Sequence, residues 1–303
     1  MLQTTIARTV SYTGVGLHSG KDVQMRLQPA PADSGIVFYV HTPSGVRHIA
    51  PRPSAVSATA LATTLSDGQA SVSTVEHVLA ALAGMAVDNV QVHVFGGEIP
   101  IMDGSAVQAA ALLKEAGLRS LHAPRRVARV RRPLSVAGDG KAIHVWPHNG
   151  FYVDYTIDFP HASIGKQRLS LEITPDTFAE IAFARTFGFL QEVEYLHSRG
   201  LALGGSLGNA VVLDEQGVVN PEGLRRPDEF VRHKMLDFVG DMAMLGMPLQ
   251  GAFEVHCSGH QLNNAFLRRL SEERGAYLEI VSLTREPAPA YEGEAFPAMV
   301  VPA

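Results

Sequence analysis

The stretch Arg225 to Leu245, RRPDEFVRHKMLDFVGDMAML, constrains this chain more than any other. Pro227 suits a first helical turn, and Asp228 and Glu229 follow where negative charge favours the positive end of a helix dipole. Val231, Met235, Phe238, Val239, Met242 and Leu245 recur at helical period on one side, so this helix needs a core to lie on. His233, Asp237 and Asp241 are spaced i, i+4, i+8 along another side, with Lys234 beside them. An imidazole and a carboxylate one turn apart converge above the helix and can grip one divalent cation. The ordinary alternative is a solvated face. Against it, Phe230 and Met244 share the stripe, and the Glu-to-Lys pairs of an exposed face are missing. A second half-site elsewhere would decide between the two.

Such a half-site must be built from few residue types. The 303 residues contain one cysteine, Cys257, which excludes an internal disulfide and a cysteine zinc site, but 13 histidines. The length suggests two domains, each able to bury a core. A net charge of −5 argues against a nucleic-acid partner. No secretory leader is evident, and no apolar run reaches the roughly 18 residues of a membrane span. A cytoplasmic protein without membrane insertion is expected.

In the first half, alternating strands are expected at residues 1–10 and 23–28, with further strands at Gly35–Val40, Ala60–Leu65 and Val90–Phe95. Between the first two lies Thr13–Lys21, TGVGLHSGK. It fails as a phosphate loop, because Val15 and Asp22 stand where the loop needs glycine and a Ser or Thr hydroxyl. His18 within it is either a turn residue or a secondary metal contact. A helix is expected over Val72–Met85, where Ser73 and Glu76 have capping-box spacing. His77 follows in an apolar, alanine-rich turn, and no second histidine gives HExxH or HxxEH spacing. A loop at Ile99–Ala106 leads into a helix to Ala116, stopped by Gly117. The arginine-rich passage His122–Pro133 reads as an interdomain link, with the boundary near residue 123. It lacks the aromatics that would stack on nucleic acid.

The second half repeats the order. Strands are expected at Arg126–Val130, Ala142–Pro147, Phe151–Phe159 and Gln250–His256, and helices at Pro175–Ala184, in the stretch discussed first, and from His260 to about Glu273. Strands grouped ahead of helices, twice over, give an α+β class with two domains, 1–123 and 124–285. The Pro- and Ala-rich tail, 286–303, is expected to be poorly ordered.

Across the halves, His77, His233 and Asp237 form a candidate ligand set that leaves a fourth tetrahedral position open, as a catalytic zinc requires. Glu76 adjoins a ligand and could act as general base, with His260 as general acid. Helix capping remains an alternative role for Glu76.

The segments TGVGLHSG, TVEH, IPIMDGSA, ARTFGF, LALGGSLGNA, HKMLDFVGD and SGHQLNN occur in an order that closely resembles the UDP-3-O-acyl-N-acetylglucosamine deacetylases over nearly the whole chain. These are zinc enzymes of the committed step in lipid A synthesis in Gram-negative bacteria. The resemblance implies two similar domains, each a β-sheet packed on two helices, with the helices facing each other in a β-α-α-β arrangement around the site. It implies His77, His233 and Asp237 as zinc ligands, Glu76 as general base, and His260 as general acid charged and oriented by Asp241. Thr186 would hold the oxyanion, Phe187 would wall the substrate site, and Lys234 would contact the polar part of the substrate. The substrate implied is an acylated UDP-sugar, bound by a monomer, with the acyl chain in an apolar passage of the second domain around Phe187–Leu207. In LGGSLGNA, Leu207 and Gly208 depart from the more polar residues the resemblance leads one to expect. The ligand set would also accept Fe²⁺ or Co²⁺. Two rival readings are an ATP-binding enzyme using Lys21 and a non-catalytic binding module that keeps the fold.

Overall fold

The computed structural model describes residues 1–283, so the expected tail at 286–303 lies outside the described residues. The first half is built on a five-stranded sheet ordered 10–15, 22–29, 90–95, 36–42, 45–49. Its central strand, Val90–Phe95, runs antiparallel to Asp22–Pro29 and parallel to Ile36–Thr42. Val90, Val92 and Val94 are buried while Gln91, His93 and Phe95 are half exposed, so the period-2 alternation of the sequence is the alternation of the faces. Helices α1 (Glu76–Gly84) and α2 (Val107–Ala116) share this sheet's core. A small sheet of Val56–Ala58, Thr64–Ser66 and Ser71–Val72 leads into α1.

The second half is built on a seven-stranded sheet whose central strand, Leu249–His256, pairs with Lys141–Trp146, Arg126–Val130 and Phe151–Phe159. Short helices α3 (Ala179–Ala182) and α4 (Val193–Ser198) precede α5 (Glu229–Met242), and α6 (His260–Glu272) follows the central strand. Helix α5 packs on Phe151–Phe159 and Gly165–Glu172, and α6 on Leu134–Gly138 and Lys141–Trp146. The two halves meet where α1 lies against α5. The protein is α+β, with sheets outside and these helices facing each other. One contact sets their separation: a Cβ on Gly240 would lie 2.0 Å from the Glu76 carbonyl oxygen, so only glycine permits this approach.

Several expectations are corrected. Every residue of α5 except Lys234 is buried, which removes the solvated-face alternative for its ionisable stripe. Pro227 stands before the helix rather than in its first turn, and Asp228, at the N-cap, pairs with Arg232. The capping box at Ser73 does not form: α1 begins at Glu76 itself, without a side-chain cap. The helix expected over Pro175–Ala184 shrinks to α3, because the Thr174 and Thr177 hydroxyls bond backbone groups in a turn just before it. The strand expected at Ala60–Leu65 is confined to Thr64–Ser66. Strands at Leu118–Pro124, Leu134–Gly138, Gly165–Glu172 and Leu278–Ser282 bury at most one residue each and lie outside the expected set.

Candidate active site

The ionisable stripe of α5 points at the start of α1. Asp237 Oδ1 lies 3.4 Å from His77 Nε2 and 3.3 Å from His233 Nε2, and one donor atom from each residue falls within 4.8 Å of the others. Two donors about 2.0–2.1 Å from one tetrahedral cation stand about 3.3 Å apart, so these separations fit a shared ion. The remaining atoms are tied back. His233 Nδ1 donates to the Ala184 carbonyl at 3.1 Å, which leaves its Nε2 lone pair for a cation. Burial pushes His233 down to about 4, so it is neutral near pH 7. Asp237 Oδ2 accepts from Lys234 Nζ at 2.9 Å. Burial alone would raise Asp237, but the neighbouring His233 and Lys234 hold its carboxyl well below the usual range. The structure thus brings together one histidine from the first half with a histidine and a carboxylate from the second.

Beside the cluster stands a second set. Asp241, one turn beyond Asp237 on α5, turns to His260 at the first residue of α6. Its Oδ2 lies 2.7 Å from His260 Nδ1 and accepts from Asn263 Nδ2 at 2.7 Å, while its Oδ1 accepts from Thr63 Oγ1 at 2.8 Å. Burial alone would lower His260, but the Asp241 carboxylate, with help from Glu76, lifts it to about 9. His260 Nε2 then faces Glu76 Oε1 across 3.9 Å. The other Glu76 oxygen accepts from the Thr63 backbone N–H at 3.1 Å. Burial pushes the Glu76 carboxyl up against the opposing pull of His260 and His77, so it is a better proton acceptor than a solvated carboxylate.

Phe187 stands beside the cluster, and Thr186 precedes it, its backbone bonded to Gly104 and Val211. The Phe187 ring lies 6.2 Å from that of His233 and packs edge-on against Phe230. Their segment is held by Arg185, whose backbone and side chain donate to the fully buried Glu229 at the head of α5. Phe187–Phe189 then pairs with Val211–Leu213, joining ARTFGF to the glycine-rich segment. Reading the sequence missed Thr63 and Asn263, both buried and both bonded to Asp241. Asn263 lies inside SGHQLNN at i+3 from His260, a usable signal; an isolated threonine offers none.

The Thr13–Lys21 loop is no phosphate cradle. Its His18 and Ser19 amides donate to the buried Glu98 carboxylate at 2.8 and 2.9 Å, which fills the position an anion would need. His18 contacts Ala202 through Nδ1 at 3.4 Å, and it is absent from the group of residues able to hold a cation. A cavity of about 880 Å³ lies elsewhere between the halves, lined in part by Ala83, Arg125 and Met242, and none of the clustered residues reaches it. Chemistry, not volume, marks the site.

The model of the UDP-3-O-acyl N-acetylglycosamine deacetylase family matches residues 3–272. A UDP-3-O-acyl-N-acetylglucosamine deacetylase of Nitratidesulfovibrio vulgaris is 61% identical over 93% of this chain and 92% of its own length. Those of Oleidesulfovibrio alaskensis and Pseudomonas entomophila are 56% and 45% identical, covering 98% and 91% of this chain and 98% and 92% of their own.

Proposed function

The chain belongs to the UDP-3-O-acyl N-acetylglycosamine deacetylase family and is a hydrolase of lipid A biosynthesis that removes the N-acetyl group of an acylated UDP-sugar; from that premise we propose which of its residues do the work. The observation that carries the assignment is the convergence of His77, His233 and Asp237 from two halves of the chain onto one point, with Glu76 and His260 facing each other beside it.

His77, His233 and Asp237 hold a divalent cation, in our reading Zn²⁺, though histidine and carboxylate donors also admit Fe²⁺. When bound, such an ion acts as a Lewis acid that polarises the acetamide carbonyl and makes the attacking water more acidic. Glu76 takes the proton of that water, a role favoured by its burial. The Thr186 hydroxyl donates to the developing oxyanion. An amine is expelled only with a proton on nitrogen, and His260, charged by Asp241, delivers it. Lys234 meets the polar part of the substrate, and Phe187 walls the site. The acyl chain runs over residues 187–207, a reading supported by Leu190, Tyr195, Leu203 and Leu207, which stand exposed within that one segment.

The two separate large sheets support a reading of two domains, 1–123 and 124–285. A UDP-sugar substrate supports a cytoplasmic location, and no helix among the described residues is long and apolar enough to cross a membrane. We take the protein as a monomer, since one chain supplies every residue given a role above.

The test is acetate release from UDP-3-O-acyl-N-acetylglucosamine, before and after chelation and with Zn²⁺ or Fe²⁺ restored. Activity should vanish with the metal and return with it. Glu76→Gln should lose at least about 100-fold in kcat while binding metal as before. Chelator-resistant release by metal-free protein would overturn the ligand assignment, and undiminished turnover by the Gln variant would remove Glu76 as base.

A further inference from the structure

Thr63 makes contact with both the base and the acid-bearing carboxylate. Its backbone N–H donates to Glu76 Oε2 at 3.1 Å, its Oγ1 donates to Asp241 Oδ1 at 2.8 Å, and its carbonyl accepts from Val75 N at 3.4 Å. Glu76 belongs to the first half and Asp241 to the second, 178 residues beyond Thr63 in sequence. Thr63 is 2% exposed and lies between two strands of the small sheet, whose third strand leads directly into α1. The same three strands therefore fix where Thr63 stands and where Glu76 begins.

The consequences at Asp241 are geometric. His260 and Asn263 both engage Oδ2, so without the Thr63 hydroxyl the carboxylate would have one oxygen unpartnered in a buried site and could rotate about χ2. Rotation would carry Oδ2 away from His260 Nδ1 and turn Nε2 off its line to Glu76. Asn263 cannot substitute, since it sits on the same oxygen and the same helix as His260.

We infer that Thr63 is a positioning residue for the deacetylation, a single link that sets the base and the acid at a fixed separation across the two halves of the chain. The inference rests on the roles proposed for Glu76 and His260. Thr63 is not among the cation donors; it acts through the two groups it holds.

The test compares Thr63→Val, which keeps size and the backbone N–H but removes the hydroxyl, with Thr63→Ser, which keeps both donors. Metal-loaded Thr63→Val should lose about 10- to 100-fold in kcat, the worth of a hydrogen bond to a charged group, with KM within about twofold. Thr63→Ser should stay within about threefold of the parent kcat. The low-field proton resonance of the His260 Nδ1–H bond should move in the Val variant and keep its place in the Ser variant. Should Thr63→Val not fold, Thr63→Ala carries the same comparison without a second methyl. A hydroxyl-free variant as fast as the parent would overturn the inference, as would a Ser variant as slow as Val. Acetate release by the unaltered enzyme stands as the separate test of the deacetylase roles, and is unaffected by either result.

Discussion

At the scale of the residue, the site is a set of carboxylates with divided duties. Asp237 and Asp241 sit one turn apart on α5, yet one faces two imidazoles and a lysine and the other faces His260, Asn263 and Thr63. The i, i+4, i+8 stripe showed that these groups share a helix face, but not that the third would turn to a different partner, because α6 comes from another part of the chain. The tie between Glu76 and Thr63 was illegible for the same reason: Ser73 at capping distance offered a local explanation, and only tertiary contact chooses between them. His260 at about 9 makes a pH prediction. With protonated His260 as the proposed acid, kcat should hold through neutral pH and fall as pH rises through that value, a little lower once a cation sits nearby. Asp241→Asn removes the largest raising influence and leaves burial to act, so the alkaline limb should move down by about two pH units, read from the kcat profile. An unmoved limb would mean that another group sets it.

At the scale of the element, α1 and α5 are positioned by what they lack. Gly240 lets the helices close until its α-carbon meets the Glu76 backbone, and an added Cβ would meet that carbonyl oxygen at 2.0 Å. Gly240→Ala should therefore part the helices and cost about 1–3 kcal/mol in stability. Because the proposed metal donors are shared between these helices, a shift of about 1 Å should also cost about 100-fold in turnover. Denaturant titration and kcat measured on one preparation would check both; unchanged turnover would show that the crossing tolerates a methyl group. The alternating strand Val90–Phe95 was legible with its bounds intact, as was Phe151–Phe159, although Val153, Asp154 and Tyr155 are all buried there. Edge and hairpin strands were not, since Gly165–Glu172 has one neighbour and buries little on either face. The α3 region was read too long because its Thr hydroxyls compete with the helix for backbone partners.

At the scale of the molecule, the buried apolar residues of both halves form one continuous cluster, running from Ile6 through α1 and α5 to Leu278. Grouping strands ahead of helices was enough to see two halves in the sequence. It could not show that Leu2–Ile6 returns to pair with Leu118–Pro124, or that the amino terminus bonds the Leu283 carbonyl, since such closures leave no periodic trace. A shared core predicts one cooperative transition in calorimetry. Because the proposed cation donors come from both halves, metal at a thousandfold excess over Kd should stabilise the whole by about 4 kcal/mol. Two resolved transitions, or a melting temperature indifferent to metal, would contradict this. The divided ownership of the site also has a genetic consequence. A lesion on the α5 side of the helix crossing changes the fit of α1, so its suppressors should map to the other half of the gene, among the residues that bring Glu76 and His77 forward. One half exchanged for a relative's should therefore work only when its counterpart comes with it.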